Sequence, residues 1–314
     1  MSLGHWLGVG VALAIFFSGI FQLKLALRFF EPAIAPLLQT AFRHPLVGVG
    51  VGFISTAIVQ SSSATNAVAV GFVSAGVLRF PHAFAILLGS NIGTTLTSQL
   101  VAFGTFQAGL LLLTLGLLLQ LMPTEVGRKT GAVGGGVGGM FLGLWALGEV
   151  LSHLAGTRFG GSIVGIIQAG DASAFLFGAG LTGIVQSSSA VSSLMVVMAG
   201  EGSITVRAAI ACVLGSNVGT VVTTLLASIG GGVSARRTAM ADLLFNGLGV
   251  ALFWPVLGTF ATAVASLSDA PARQVAHAHT LFNMLCVALV LPIITPFCRF
   301  VTLVTSRRAG GGEP

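Results

Sequence analysis

The chain has 314 residues, 54% of them hydrophobic and only 7% charged, with a net charge of +6 and a mean hydropathy of +0.99. Soluble domains carry about a quarter charged residues, so this balance excludes a water-soluble globular protein and points to a polytopic membrane protein. The basic residues stand singly between apolar segments, as topology determinants do, which argues against nucleic-acid binding.

At about 20 residues per crossing, the length allows roughly seven to nine segments that cross or enter a bilayer. The run from Leu3 to Phe30 is apolar until Lys24 and Arg28. It lacks a basic start and a small-residue cleavage site, so it reads as a retained transmembrane helix rather than a signal peptide. Glu31 to Pro45, with Pro32, Pro36, Arg43 and His44, reads as an interfacial connection. Residues 46–78 are apolar between Pro45 and Pro81 and carry Gln60-Ser61-Ser62-Ser63 near their middle. Each arm is about 14 residues, or roughly 21 Å as helix, short of the roughly 30 Å hydrocarbon core. Such arms suit a re-entrant hairpin. Residues 84–103 can span, but Gly89 and Gly93 bracket Ser90 and Asn91 at their centre, which predicts a broken helix.

Spans follow at Gln107 to Met122 and Gly131 to Leu151. The glycines of the second, Gly131, Gly134, Gly135, Gly136, Gly138, Gly139 and Gly143, read as a close-packing face rather than a substrate path. His153 to Gly170 is expected to be an external loop. Ala172 to Ser203 then repeats the hairpin around Gln186-Ser187-Ser188-Ser189, and Ala208 to Ile229 repeats the broken helix around Gly215-Ser216-Asn217-Val218-Gly219-Thr220. Both phrases recur at the same offset of 126 positions, from 60 to 186 and from 89 to 215. Gly230-Gly231-Gly232 with Arg236 and Arg237 predicts a turn, followed by spans at Thr238 to Leu267 and Val275 to Val304 and a tail ending Ala309 to Pro314. The expected fold is therefore an all-α membrane transport domain over 1–314. The core of its first repeat covers 46–103 and that of the second 172–229. Cys212, Cys286 and Cys298 lie in apolar runs without pairing or metal spacing and read as core residues.

Charge placement sets the topology. With the N-terminus outside and both hairpins returning to their side of entry, Lys24, Arg28, Arg43, Arg79, Arg128, Lys129, Arg236, Arg237, Arg299, Arg307 and Arg308 face the cytoplasm. Only Arg158, Arg207 and Arg273 face out, 11 against 3, whereas hairpins that crossed fully would give 9 against 5. The positive-inside rule favours the first arrangement, with about seven full spans and the C-terminus inside. The two repeats are then inverted in the membrane, a secondary-transporter design.

Polar groups inside such apolar flanks must find partners or bind something. Half-helix ends present unpaired N–H or C=O groups, and serine, asparagine and glutamine add donors and acceptors. Such a site can hold an oxyanion together with Na⁺. No Lys, Arg, Asp or Glu occurs in either hairpin tip or at either expected helix break, so a co-bound cation would have to supply the countercharge. That condition is the physics of symport.

The paired Gln-Ser-Ser-Ser tracts, each followed by Gly-Ser-Asn-(Ile/Val)-Gly-Thr, resemble the type II sodium–phosphate cotransporter family in a short bacterial form. The likeness extends to Ala239–Gly247, with Phe245-Asn246, and to Ala276–Asn283, with His279-Thr280-Leu281-Phe282-Asn283. The resemblance implies Na⁺-coupled phosphate symport by alternating access, in a multi-pass protein of the bacterial inner membrane, and no enzymatic activity. It implies phosphate contacts from Ser61, Ser62, Ser63, Ser187, Ser188, Ser189, Asn91 and Asn217. Sodium contacts would come from Gln60, Gln186, Ser63, Ser189, Ser90, Asn91, Thr94, Ser216, Asn217 and Thr220. Asn246, Asn283, His279 and Asp242 would support the site. Partners are then phosphate, Na⁺, the lipid bilayer and a second copy of the chain, with no cofactor beyond the coupling ion. Asp242 departs from the family's segment, where a histidine is usual, and stands either for altered ion coupling or for an interfacial pair with Arg236 and Arg237. His279 is either a coupling group or a packed histidine bonded to a neighbouring helix. Asn246 and Asn283 brace the broken helices or touch substrate. Another oxyanion or a dicarboxylate, a channel, and an intramembrane serine enzyme using His279 as base are the competing readings. Duplication argues against the last, since nucleophilic catalysis needs one activated serine.

Overall fold

In this computed structural model the described residues are 3–28, 44–104, 106–155 and 158–306. The expected connection at 31–45 lies almost wholly outside them, as does the tail at 309–314. Apolar stretches satisfy their backbone internally as helices, the requirement a bilayer imposes, and no strand occurs among the described residues. Helix α1 spans Leu3–Arg28, α2 Pro45–Val59, α3 Ser62–Ser74, α4 Phe80–Phe103, α5 Phe106–Gln120, α6 Glu125–Ala155 and α7 Arg158–Gln168. The chain continues through α8 (Asp171–Val185), α9 (Ser188–Gly200), α10 (Val206–Ala227), α11 (Gly232–Phe253), α12 (Leu257–Ala265), α13 (Pro271–Val290) and α14 (Ile294–Ser306). One-turn 3₁₀ segments at Trp254–Val256 and Leu291–Ile293 hold Pro255 and Pro292, which interrupt otherwise continuous apolar helices.

Among the described residues, three helical stretches are long and apolar enough to cross a membrane: Val206–Ala227, Gly232–Ala265 and Pro271–Ser306. A fourth is added if α4 and α5, which meet at 109°, form one broken span. Helices α2 and α8 have 15 residues and α3 and α9 have 13, shorter than the ~20 a crossing needs. Each pair is a helix–turn–helix hairpin laid against a long helix, α2–α3 on α4 and α8–α9 on α10.

Three expectations are corrected. The helix break at Gly-Ser-Asn-x-Gly-Thr does not occur: α4 and α10 run without interruption through both phrases. Their glycines serve close approach instead. A Cβ on Gly89 would collide with the Val49 carbonyl, and one on Gly52 with the Ile86 carbonyl. The same clashes recur 126 positions on, Gly215 against Phe175 and Gly178 against Cys212. Small residues thus let hairpin and long helix touch backbone to backbone. Second, the loop expected at 153–170 contains helix α7. Its Ile163, Val164 and Ile167 turn inward against the core while Ser162 and Ile166 face out, a helical period that its glycines obscure in the sequence. Arg236 and Arg237 also belong to α11 rather than to the turn before it.

The glycines of α6 pack as expected, Gly138 against Leu113 of α5 and Gly143 against Phe16 of α1. The three cysteines are buried and unpaired. Around the long helices the core is aromatic where α4, α11 and α14 meet, with Phe84 stacked on Phe297 at 5.1 Å and edge-on to Phe245 at 6.2 Å.

Candidate functional site

Each Gln-Ser-Ser-Ser tract is the turn of a hairpin. Gln60 and Gln186 sit at φ 52° and 55°, a left-handed conformation rare for a residue with a side chain and the only positive φ outside glycine among the described residues. That residue closes the first arm, and the following serine caps the second. The Oγ of Ser61 accepts from the Ala64 amide at 3.2 Å, and the Oγ of Ser187 accepts from the Ala190 amide at 3.3 Å. Beyond the amides these caps take up, the first amides of α3 and α9, those of Ser62, Ser63, Ser188 and Ser189, have no helical acceptor. Ser62 and Ser188 are buried, with 4% and 3% of their surface exposed, and no hydrogen bond joins either hydroxyl to a described residue. Ser189 is likewise buried at 8%. Free N–H groups at a helix N-terminus beside buried hydroxyls are the kind of group that can hold an anion without a basic side chain.

The two turns meet. Ser63 donates from Oγ to the Gln186 carbonyl at 3.2 Å and lies 3.4 Å from the Thr223 hydroxyl on α10. The copies are not equivalent here. In the first, Thr97 of α4 donates to Gln60 Oε1 at 2.8 Å, and Gln60 Nε2 donates to the Ala57 carbonyl at 2.5 Å. In the second, Thr223, the counterpart of Thr97, faces Ser63 of the opposite hairpin. Gln186 is exposed where Gln60 is half-buried, and neighbouring Ile184 is 83% exposed.

On the long helices the Gly-Ser-Asn phrases lie behind the turns. Ser90 donates to Asn66 Oδ1 at 2.5 Å and to the Leu87 carbonyl, and Thr94 donates to the Ser90 carbonyl. Ser216 pairs with Ser192 at 3.3 Å, and Thr220 donates to the Ser216 carbonyl. These donors are committed, which leaves oxygen lone pairs rather than protons to offer. Asn91 and Asn217 are buried, and the Nδ2 of each has no partner among the described residues.

Two further helices close the site. On α13, His279 is fully buried and its Nδ1 lies 2.9 Å from the Ser98 hydroxyl of α4. It is thus a histidine bonded to a neighbouring helix. On α11, Asp242 is 1% exposed; its Oδ2 accepts from Thr224 of α10 at 2.6 Å and its Oδ1 from Asn246 Nδ2 at 2.9 Å. The expected pair with Arg236 and Arg237 is absent, because residues five or six apart on a helix point to different faces. Arg237 bonds Thr305 and Ser306 instead. Asn246 and Asn283 each donate to the carbonyl four residues back, at 3.0 and 2.9 Å. Sequence reasoning missed Asn66, Thr97, Ser98, Thr223 and Thr224. The last four carry a signal, since Thr97 and Thr223, and Ser98 and Thr224, are hydroxyl residues at the 126-position offset.

The fold and site therefore define a helical membrane protein with a duplicated polar hairpin in an apolar setting. The profile of the Na⁺/Pi-cotransporter family matches the chain twice in tandem, over residues 15–149 and 145–291, and the chain belongs to that family, one of phosphate transporters. It is 35% identical over 229 residues, 73% of this chain and 75% of the relative, to the uncharacterized protein YqeW of Bacillus subtilis. It is 28% identical over 242 residues to the putative inorganic phosphate export protein YjbB of Escherichia coli; the match takes in 74% of this chain but only 43% of that protein. A shorter stretch of 66 residues, 21% of this chain and 10% of the relative, is 44% identical to sodium-dependent phosphate transport protein 2A of sheep. No solved structure matches.

Proposed function

We propose that this chain carries inorganic phosphate across the bacterial inner membrane in symport with Na⁺, by alternating access to a site between the two hairpin turns. The amides opening α3 and α9 and the hydroxyls of Ser61, Ser62, Ser63, Ser187, Ser188 and Ser189 hold the anion, with Asn91 and Asn217 behind them. Gln60 and Gln186, with oxygens of Ser63, Ser90, Asn91, Thr94, Ser189, Ser216, Asn217 and Thr220, hold Na⁺. Two inverted repeats, about seven full spans, an outer N-terminus and an inner C-terminus complete the arrangement.

One observation carries this reading: two helix N-termini with buried, unengaged serines meet in a region whose sequence holds no Lys or Arg. Helix termini offset a buried anion by only about 0.3–2 kcal/mol each, and the uncompensated cost of burying that charge is far larger. A cation must come with it.

The test is uptake of radiolabelled phosphate into proteoliposomes with Na⁺ or choline outside. Uptake should require Na⁺, and phosphate should bind the purified protein far more tightly in sodium than in choline, with Na⁺ affinity raised reciprocally by phosphate. Equal binding in both salts would overturn the coupling. A second reading, phosphate export, is favoured by the similarity to YjbB; net efflux from loaded vesicles without a Na⁺ gradient would decide for it.

A further inference from the structure

Asp242 and His279 occupy matching places. The motif around them recurs at an offset of 37 positions, from 242 to 279, 245 to 282 and 246 to 283, giving Asp-x-x-Phe-Asn on α11 and His-x-x-Phe-Asn on α13. Each side chain is buried and reaches a hydroxyl on a long helix, His279 to Ser98 and Asp242 to Thr224. Those hydroxyls are themselves repeat counterparts, 126 positions apart. Each asparagine bonds the carbonyl four residues back and leaves its Oδ1 buried without a partner among the described residues. The geometry is shared; the charge is not. A neutral imidazole can sit in such a place, whereas a carboxylate at 1% exposure cannot remain uncompensated.

No Lys, Arg or His forms an ion pair with Asp242 among the described residues. Its two hydrogen bonds come from neutral donors, one on each oxygen. The Asn246 amide cannot be turned over, because its Nδ2 is also held by the Asp242 carbonyl at 3.0 Å. A fixed N–H therefore already points at one carboxylate oxygen and a hydroxyl faces the other, a setting that favours the ionised form. Three kinds of oxygen lie on these contacting side chains: the carboxylate, the Thr224 Oγ1 bonded to its Oδ2, and the Oδ1 of Asn246, whose Nδ2 bonds the carboxylate and whose Oδ1 has no partner among the described residues. Hard oxygen donors with a single negative charge suit a monovalent hard cation; a divalent one would draw on several carboxylates.

We infer that Asp242, Thr224 and Asn246 form a Na⁺ site, additional to the ligands proposed at the hairpin turns and without a counterpart at His279. Its part in coupled flux rests on the proposed function above, but its occupancy does not.

The test measures ²²Na⁺ bound at saturation to the purified full-length protein in phosphate-free buffer, so that failure of phosphate transport leaves it unaffected. Asp242→Asn should bind one Na⁺ fewer per chain than the parent, or bind that ion at least tenfold more weakly. Asp171→Asn, which removes the exposed partner of Arg207, should bind as the parent does. Thr224→Val provides a second variant should Asp242→Asn fail to fold, and it should weaken the same ion at least tenfold. Equal Na⁺ number and affinity in the parent and in whichever Asp242 or Thr224 variant folds would overturn the site, as would the absence of Na⁺ binding by the parent.

Discussion

At the scale of single residues, the two serines at the second position of each tract bear the most weight. Ser61 and Ser187 already accept a capping bond and Ser63 bonds the opposite turn; Ser62 and Ser188 are buried with hydroxyls that bond no described residue. A buried hydroxyl that bonds a charged ligand contributes about 1.5–3 kcal/mol, and 1.4 kcal/mol is tenfold in affinity. Ser62→Ala and Ser188→Ala should therefore each weaken phosphate uptake by about tenfold or more without changing thermal stability. Measurement of initial rates against phosphate concentration checks this; wild-type rates in either variant would make that tract structural. Ser61→Ala should instead cost about 1 kcal/mol of stability as a lost helix cap. The roles of these serines divide along a line that sequence alone does not draw. The tract was legible as a hairpin turn from the short apolar arms on either side, but which hydroxyl caps and which stays free depends on the left-handed turn at Gln60 and Gln186.

At the scale of elements, the helices themselves were readable because apolar runs bounded by Pro45, Pro81 and the Gln-Ser-Ser-Ser turns leave little choice. What the glycines do was not. In sequence, Gly89 and Gly93 around Ser90-Asn91 look like a break; in the fold they are where α2 lies against α4. Only the partner helix reveals the difference, and it lies some forty positions away. The sign of one substitution separates the two roles. Replacing a helical glycine by alanine stabilises by about 0.5–1 kcal/mol where space permits, and Gly50 has no atom near its missing Cβ. At Gly52 the Cβ meets the Ile86 carbonyl, a backbone atom that cannot swing aside, and overpacking costs about 1–3 kcal/mol. Gly50→Ala should raise the unfolding temperature slightly and Gly52→Ala should lower it, read by thermal unfolding of the purified protein in detergent. Gly178→Ala, the counterpart of Gly52, should behave as Gly52→Ala does. The tertiary partners Ser98–His279 and Thr224–Asp242 were hidden for the same reason: they join helices that are far apart in the chain.

At the scale of the whole molecule, the relative orientation of the two copies decides whether alternating access is possible. Equivalent clashes at Gly52 and Gly178, equivalent turns at Gln60 and Gln186, and tandem matches to one family profile make the halves alike in local structure. A carrier that opens to each side in turn needs them placed oppositely across the bilayer, so that closing one hairpin and opening the other are related moves. Parallel copies would give two similar doors on one side. The distribution of basic residues, 11 inside against 3 outside under the inverted arrangement, predicts the former. Ala75 and Glu201 end α3 and α9, are 126 positions apart, and are both exposed, so they report on the same point of each repeat. In a background with Cys212, Cys286 and Cys298 replaced, Glu201→Cys in intact cells should react with an impermeant thiol reagent added outside. Ala75→Cys should react only after the membrane is opened. Exposure within the protein is matched between the two positions, so a difference in labelling reports sidedness rather than burial. Equal labelling of both from outside would place the repeats in parallel, and alternating access between the two hairpins would then fail as the mechanism.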